Sequence, residues 1–124
     1  MLVSACFVGL SATGGSANVP TELTGIWEYS SMTALKAGKP FGSVNFGSGQ
    51  WTVTFNPDNT WTMEVNLPRN PARHMNGHYV VHGHELDMKL DDGKPYSSYR
   101  FSVEQDGKLL VLTNKEHTIN ANKR

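Results

Sequence analysis

The chain has 124 residues, which is the size of one domain with a single hydrophobic core. Its 11 Lys and Arg residues balance its 11 Asp and Glu residues, so the formal net charge is zero. Without a net positive field, the sequence argues against electrostatically driven binding of nucleic acid. The single cysteine, Cys6, excludes both an intrachain disulfide framework and a cysteine-rich zinc site.

The N-terminal residues have the order of an export leader. An apolar run from Leu2 to Leu10 is followed by small residues that end at Ala17, as in the apolar core and cleavage site of a signal peptide. Cleavage after Ala17 would release a secreted protein. Residues 3–6, Val-Ser-Ala-Cys, also resemble a bacterial lipobox, in which Cys6 receives a lipid. Since no Lys or Arg precedes the run, an ordinary N-terminus that is frayed or packed on the core stays a third interpretation.

These features predict a two-part chain. We expect a leader with a short linker over residues 1–21 and one folded domain over residues 22–124. Both processing routes place the protein outside the cytoplasm, where it would be periplasmic, secreted or lipid-anchored at the cell envelope. A lipid on Cys6 would be the only membrane contact, and we expect a monomer without a cofactor.

From Pro20 onward, apolar and aromatic residues alternate with polar ones, a period typical of half-buried β-strands. In the first three runs, the residues predicted to share the inner face are Trp27 and Tyr29, then Trp51, Val53 and Phe55, then Trp61, Met63 and Val65. In the later runs, they are Tyr79 and Val81, then Leu86, Met88 and Leu90, then Tyr99, Phe101 and Val103, then Leu110 and Leu112.

Turn residues between these runs predict hairpins. The sequence Asn-Pro-Asp-Asn at residues 56–59 suits a tight turn, because proline presets φ and asparagine tolerates the left-handed region. His-Gly at residues 82–83 is interpreted as a two-residue turn, which sets Tyr79 opposite Leu86. Asp-Gly at residues 106–107 is the strongest short hairpin signal of the chain.

Two longer connections, residues 33–49 and 67–76, contain Gly and Pro and show no sustained period. The tail after residues 114–115 is expected to return as a last strand. About eight short strands and no amphipathic helix result. Because a meander buries its edges by closing, we predict an all-β, single antiparallel up-and-down barrel of about eight strands. The two connections would lie over the barrel mouth.

The short stretch Gly25-Ile26-Trp27, at the entry to the first strand, resembles the Gly-x-Trp signature of lipocalins and related calycins. In that family the Trp closes the barrel floor, and a basic residue of the last strand packs across it. The resemblance therefore implies floor positions for Gly25 and Trp27. Lys123 and Arg124 are the available basic residues, and we assign the packing to Arg124.

Four further segments resemble small bacterial lipocalin-like exported domains. They are Trp-x-Tyr at residues 27–29, Thr-Phe-Asn-Pro-Asp-Asn-Thr at 54–60, Gly-x-Tyr-x-Val at 77–81 and Asp-Gly-Lys-Leu-Leu-Val-Leu-Thr at 106–113. The resemblance covers residues 22–124 and implies a lipocalin-like barrel. The chain is shorter than a usual lipocalin and lacks the later Thr-Asp-Tyr motif, which argues against a large ligand cavity.

Histidines are dense in one part of the sequence, where His74, His78, His82 and His84 lie close together, with His117 apart. Clustered imidazoles bind zinc, copper or nickel. Under the predicted hairpin register these side chains point in different directions. We therefore predict no metal site.

The sequence carries no catalytic motif. No serine lies in a Gly-x-Ser-x-Gly elbow, and no Gly-rich phosphate loop precedes a helix. Four aspartates lie at or near Gly, Pro or Asn, as is typical of turns rather than of paired catalytic acids: Asp58, Asp91, Asp92 and Asp106. We predict that the protein is not an enzyme.

Two non-catalytic functions remain open. In the first, the barrel mouth binds a small hydrophobic molecule, although a filled barrel core requires the same side chains. The predicted lining residues are Trp51, Trp61, Met63, Tyr79 and Phe101. In the second, a filled barrel without a cavity serves as an interaction or inhibitor module of the cell envelope. The loop residues available for such contacts are Phe41, Phe46, Arg69 and Arg73.

Overall fold

A computed structural model describes residues 20–124, so Cys6 and most of the expected leader lie outside the described residues. Within the described range, no helix is long and apolar enough to cross a membrane. The strands are β1 (Gly25–Lys36), β2 (Lys39–Asn45), β3 (Trp51–Phe55), β4 (Thr60–Val65), β5 (Arg73–His82), β6 (Glu85–Leu90), β7 (Pro95–Glu104), β8 (Leu109–Thr113) and β9 (His117–Lys123).

Eight of these strands close into a barrel. Strands β3 to β9 pair antiparallel with their neighbours in chain order. Strand β1 closes the ring, because it pairs with β3 along one edge and with β9 along the other. The predicted all-β, antiparallel up-and-down barrel is confirmed. Closure leaves no open edge in the ring itself, because every strand of the ring has a partner on both sides.

Strand β2 is the main departure from the prediction. Residues 33–49 are predicted as an irregular connection, but β1 continues to Lys36, and the chain returns as β2 after a turn at Ala37 (φ 52°) and Gly38 (φ 78°). Strand β2 pairs with the C-terminal half of β1, because the N-terminal half already pairs with β3 along the same edge. All residues of β2 are exposed. Because neither face of β2 is buried, its sequence does not alternate between apolar and polar residues, and the strand is not recognisable from the sequence.

Side chains fill the interior of the barrel. The residues assigned to the inner face by alternation are all buried except Trp51, Leu90 and Val103, which are half-buried. The core also contains Leu23, which precedes β1, and Ile119 and Ala121 of β9. An eight-stranded barrel is just wide enough to be filled in this way.

The hairpin between β5 and β6 has a different register from the one predicted. Residues 83–84 form its turn instead of 82–83, and Tyr79 lies opposite Met88 instead of Leu86. The glycine of the observed pair has a φ of 61°, which a two-residue hairpin turn requires. A shift by two residues leaves each side chain on its own face of the sheet, so the predicted inner face is retained.

Candidate functional site

One end of the barrel is closed by Trp27, whose side chain is fully buried and whose indole Nε1 donates a hydrogen bond to the carbonyl oxygen of Leu23 (2.8 Å). The Nζ of Lys123 lies 4.7 Å from the centre of the Trp27 ring and donates to the carbonyl oxygen of Thr24 (2.6 Å). Gly25 leaves room for this lysine, since a Cβ at that position would lie 2.7 Å from Nζ. Its φ of 126° is also a conformation that favours glycine.

The basic partner of Trp27 is therefore Lys123, and its assignment to Arg124 is wrong. Neighbouring residues of a strand point to opposite faces, so Arg124 turns outward when Lys123 turns inward. There the Nε of Arg124 donates to the carboxylate of Glu28 (2.7 Å). This hydrogen bond, followed by one from the backbone of Gly49, holds the pKa of Glu28 below its usual range.

Lys123→Met tests the contribution of the ammonium group at the floor. We expect the variant to lose about 0.5–2 kcal/mol of unfolding free energy, since a cation over a buried indole contributes about that much. Urea denaturation measures the loss. Arg124→Met is the matched control and is expected to change stability less, because its ion pair is solvent-exposed. Equal stability of Lys123→Met and the wild type would show that the ammonium group does not stabilise the floor.

The opposite end of the barrel, the mouth, carries half-buried apolar side chains. The C-terminal ends of β1, β4 and β6 meet there with the first residues of β3, β5 and β7. The predicted connection over 67–76 is shorter than expected, because β5 begins at Arg73. The half-buried apolar residues at this end, which we call the mouth cluster, are Met32, Phe46, Trp51, Leu67, Met75, Leu90 and Tyr96.

Three aromatic rings pack at one side of the mouth. Trp51 of β3 stacks on Tyr29 of β1, with ring centres 5.5 Å apart and planes at 10°. Phe46, from the connection between β2 and β3, lies 5.3 Å from Trp51 and 6.5 Å from Tyr29. Burial raises the pKa of Tyr29 well above its usual value and that of Tyr96 to about 12. Both hydroxyl groups are therefore neutral at physiological pH.

An open groove of about 520 Å³ lies beside these rings, between β2 and the segment that follows β4. Its apolar lining residues are Met32, Val44, Phe46, Trp51, Leu67 and Pro68. Its polar lining residues are the amides Asn45 and Gln50, and none of the lining side chains is ionisable. Small-molecule sites have volumes of about 300–1,000 Å³ and are mostly apolar with a few polar groups. The groove has the size and chemistry of such a site.

Of the five residues predicted to line a ligand site, only Trp51 lies in the groove. The other four are buried in the barrel core, and ligand contact at them stays a prediction. They are Trp61, Met63, Tyr79 and Phe101. Sequence reasoning missed Met32 and Val44, because both belong to the segment in which β1 continues into the unpredicted hairpin with β2.

The histidine-rich segment spreads its imidazole groups over β5 and the turn after it. Among residues 20–124, no group of three or more His, Asp, Glu or Cys side chains is arranged to hold an ion. His78 lies 3.7 Å from the carboxylate of Asp91, and both side chains are mostly exposed.

The residues considered for protein contacts lie in different settings. Phe41 is 67% exposed on β2, whereas Phe46 is half-buried in the mouth cluster. Arg69 and Arg73 are exposed, the first in the connection after β4 and the second at the start of β5. Of the two phenylalanines, Phe41 is thus the more exposed.

The sequence matches no protein-family model and no curated protein. The structure is similar to a lipocalin-like protein from Bacteroides uniformis, with a TM-score of 0.61 at 18% identity over 83% of this chain and 99% of that chain. For an uncharacterized protein from Bacteroides eggerthii the score is 0.59 at 12% identity, over 82% and 98% of the two chains. For the lipoprotein YedD from Klebsiella pneumoniae, the TM-score is 0.46 at 13% identity, over 87% of this chain and 78% of that chain. The chain has a lipocalin-like barrel fold.

Proposed function

We propose that the protein is an exported, non-catalytic lipocalin-like domain that binds a small apolar molecule in the groove at the barrel mouth. The observation that carries the proposal is the open groove of about 520 Å³, whose lining contains six apolar side chains and no ionisable one. Residues 1–21 would be the leader or lipoprotein-type segment, and residues 22–124 would act as a monomeric binding domain.

The groove is a better site than the interior of the barrel. Trp61 and Met63 are both 0% exposed and fill the interior, so a ligand there would have to displace well-packed core atoms, which is costly. The groove is already open. Binding that removes about 200 Å² of apolar surface from water, counted on the ligand and the groove together, gains about 5 kcal/mol of transfer free energy, before the cost of association is subtracted. This balance predicts modest affinity.

Export is supported by the order of the N-terminal residues. The apolar run up to Leu10 and the small residues up to Ala17 fit a cleaved signal peptide, and residues 3–6 fit a lipidation site. In both cases the binding domain would face an oxidising compartment. A domain without paired cysteines is held together there by its packed core.

Val44→Arg tests the location of the site. The side chain is 48% exposed on β2, so the fold tolerates the substitution, but the guanidinium group would enter the apolar groove. Val80→Arg is the matched control, because Val80 is 36% exposed on β5 and lies outside the groove lining. Titration with the fluorescent apolar probe phenylnaphthylamine is expected to show saturable binding by the wild type and by Val80→Arg, and none by Val44→Arg.

Two results would contradict the proposal. Absence of saturable binding by the wild type, together with a native mass spectrum of the bare chain, would argue against a ligand-binding function. Unchanged binding by Val44→Arg would place the bound molecule elsewhere, and the groove would lose its assigned role.

A further inference from the structure

The geometry points to a neutral, mostly apolar ligand that carries a hydrogen-bond acceptor for the indole Nε1 of Trp51. This inference rests on the proposed function and adds the chemical class of the ligand. It depends on three features: an unpaired donor on Trp51, whose ring lines the groove, a lining without charge, and one aromatic side chain next to Trp51 that belongs to no strand.

The first feature is the hydrogen bonding of the tryptophans, of which the chain has three. The Nε1 of Trp27 donates to the carbonyl oxygen of Leu23 (2.8 Å), and the Nε1 of Trp61 donates to that of His78 (3.1 Å). The Nε1 of Trp51 is shielded from solvent and has no acceptor among residues 20–124. Buried donors without a partner are rare, because the lost bonds to water are not replaced. A ligand acceptor would replace them.

The second feature is the absence of charge in the groove lining, of which the Trp51 ring is a part. The polar groups of the groove lining are the amides of Asn45 and Gln50, and no ionisable side chain lines it. Tyr29, which stacks on Trp51, is neutral because burial raises its pKa. A carboxylate would lose its hydration without gaining a cation, which is unfavourable. A ketone, ester or ether oxygen suits Nε1 better.

The third feature is the packing on the two sides of the Trp51 ring, which governs how a ligand in the groove gains access to Nε1. Tyr29 is 3% exposed and belongs to the core, so it holds one side of the Trp51 ring in place. Phe46 is half-buried, belongs to no strand, and lies 5.3 Å from the Trp51 ring. Side chains on connections are more mobile than those on strands. A ligand that displaces the Phe46 ring would take its place against Trp51, where its acceptor would come near Nε1.

Three probes with the same bicyclic ring separate these requirements. Acetylnaphthalene carries a neutral acceptor, methylnaphthalene carries none, and naphthoate carries a charged one. Proton–nitrogen NMR of the indole groups resolves the three tryptophans, and the Trp51 signal is assigned by its loss in Trp51→Phe. We expect acetylnaphthalene to shift the indole proton of Trp51 downfield, while the signals of Trp27 and Trp61, which already have acceptors, stay in place.

The affinities provide the second readout. The wild type is expected to bind acetylnaphthalene about three- to tenfold more tightly than methylnaphthalene, the range that one net hydrogen bond supplies, and to bind naphthoate less tightly than acetylnaphthalene. Trp51→Phe keeps an aromatic ring but removes the donor, so it is expected to bind the two neutral probes equally.

The outcomes distinguish this inference from the proposed function. Equal binding of the two neutral probes by the wild type, a preference that persists in Trp51→Phe, or an unmoved Trp51 signal would overturn the acceptor requirement, although apolar binding in the groove would stand. Tighter binding of naphthoate would overturn the neutral class. Failure of all three probes to bind would remove the proposed function and this inference together.

Discussion

Trp27→Ala is expected to lower the free energy of unfolding by about 3–5 kcal/mol, the range for truncation of a core tryptophan. The ring is fully buried at the barrel floor, so its removal leaves a cavity that the closed ring of strands is poorly able to collapse. The variant also loses the hydrogen bond to Leu23, whose buried side chain anchors the segment before β1. Small domains have about 5–15 kcal/mol of stability in total, so the loss is a large fraction of it.

Urea denaturation monitored by far-ultraviolet circular dichroism measures this loss. Trp27→Phe keeps an aromatic ring but not the indole donor, and it should lose less. Ile26→Ala is the neighbouring control, since Ile26 is 37% exposed and its truncation should change the unfolding free energy by no more than about 0.5 kcal/mol. A Trp27→Ala domain as stable as this control would show that the indole does not close the floor.

Gly77→Ala is expected to destabilise the domain by about 3 kcal/mol or more, at the upper end of the cost of overpacking. Gly77 lies on β5 between Trp61 of β4 and Leu90 of β6. An added Cβ would overlap the backbone carbonyl oxygen of Lys89 and lie 2.8 Å from its carbonyl carbon. Backbone atoms within a sheet have little room to shift. The same carbonyl oxygen accepts a hydrogen bond from the Nε1 of Trp61 (3.2 Å), which would be disturbed as well.

Gly42→Ala is the matched control for this substitution. Gly42 also lies in a strand, β2, but a Cβ there has no atom within 4 Å. Alanine should therefore leave the unfolding free energy unchanged or raise it slightly, because it reduces the entropy of the unfolded chain. Thermal melts and urea titrations of the two variants give the comparison. Equal stability of the two variants would mean that the β5–β6 pairing adjusts to the methyl group without cost.

Much of the fold was predictable, because its determinants are local. Alternation of side chains between two faces is a property of any single strand, and it identified the inner residues of β3, β4, β7 and β8. The turn at residues 56–59 is recognisable because its residue types tolerate the required backbone angles. The predicted register of the β5–β6 hairpin is wrong, since residues 82–83 and 83–84 are both acceptable turns. Each side chain nevertheless lies on the predicted face of the sheet.

The groove was not predictable, because its walls come from distant parts of the chain. The register between β9 and β1 shifts at one point. Ala121 lies opposite Tyr29, but its neighbour Asn120 lies opposite Ser31, so Ser30 is an extra residue of β1 without a partner in register. This bulge changes the alternation of β1 and turns Met32 toward the inner face, where a strict period of two would place Ser31.

The sequence by itself determined the barrel and its inner face, because alternation and turn chemistry act over a few residues. The floor position of Trp27 followed from the resemblance of Gly25-Ile26-Trp27 to the lipocalin signature. Only the tertiary structure decided which basic residue covers the indole, because the choice between Lys123 and Arg124 depends on the face that the end of β9 presents. It also decided where a ligand has room. Of the aromatic residues predicted as lining, Trp61, Tyr79 and Phe101 are buried in the core once the barrel closes. The open space lies beside Trp51, next to the end of β2.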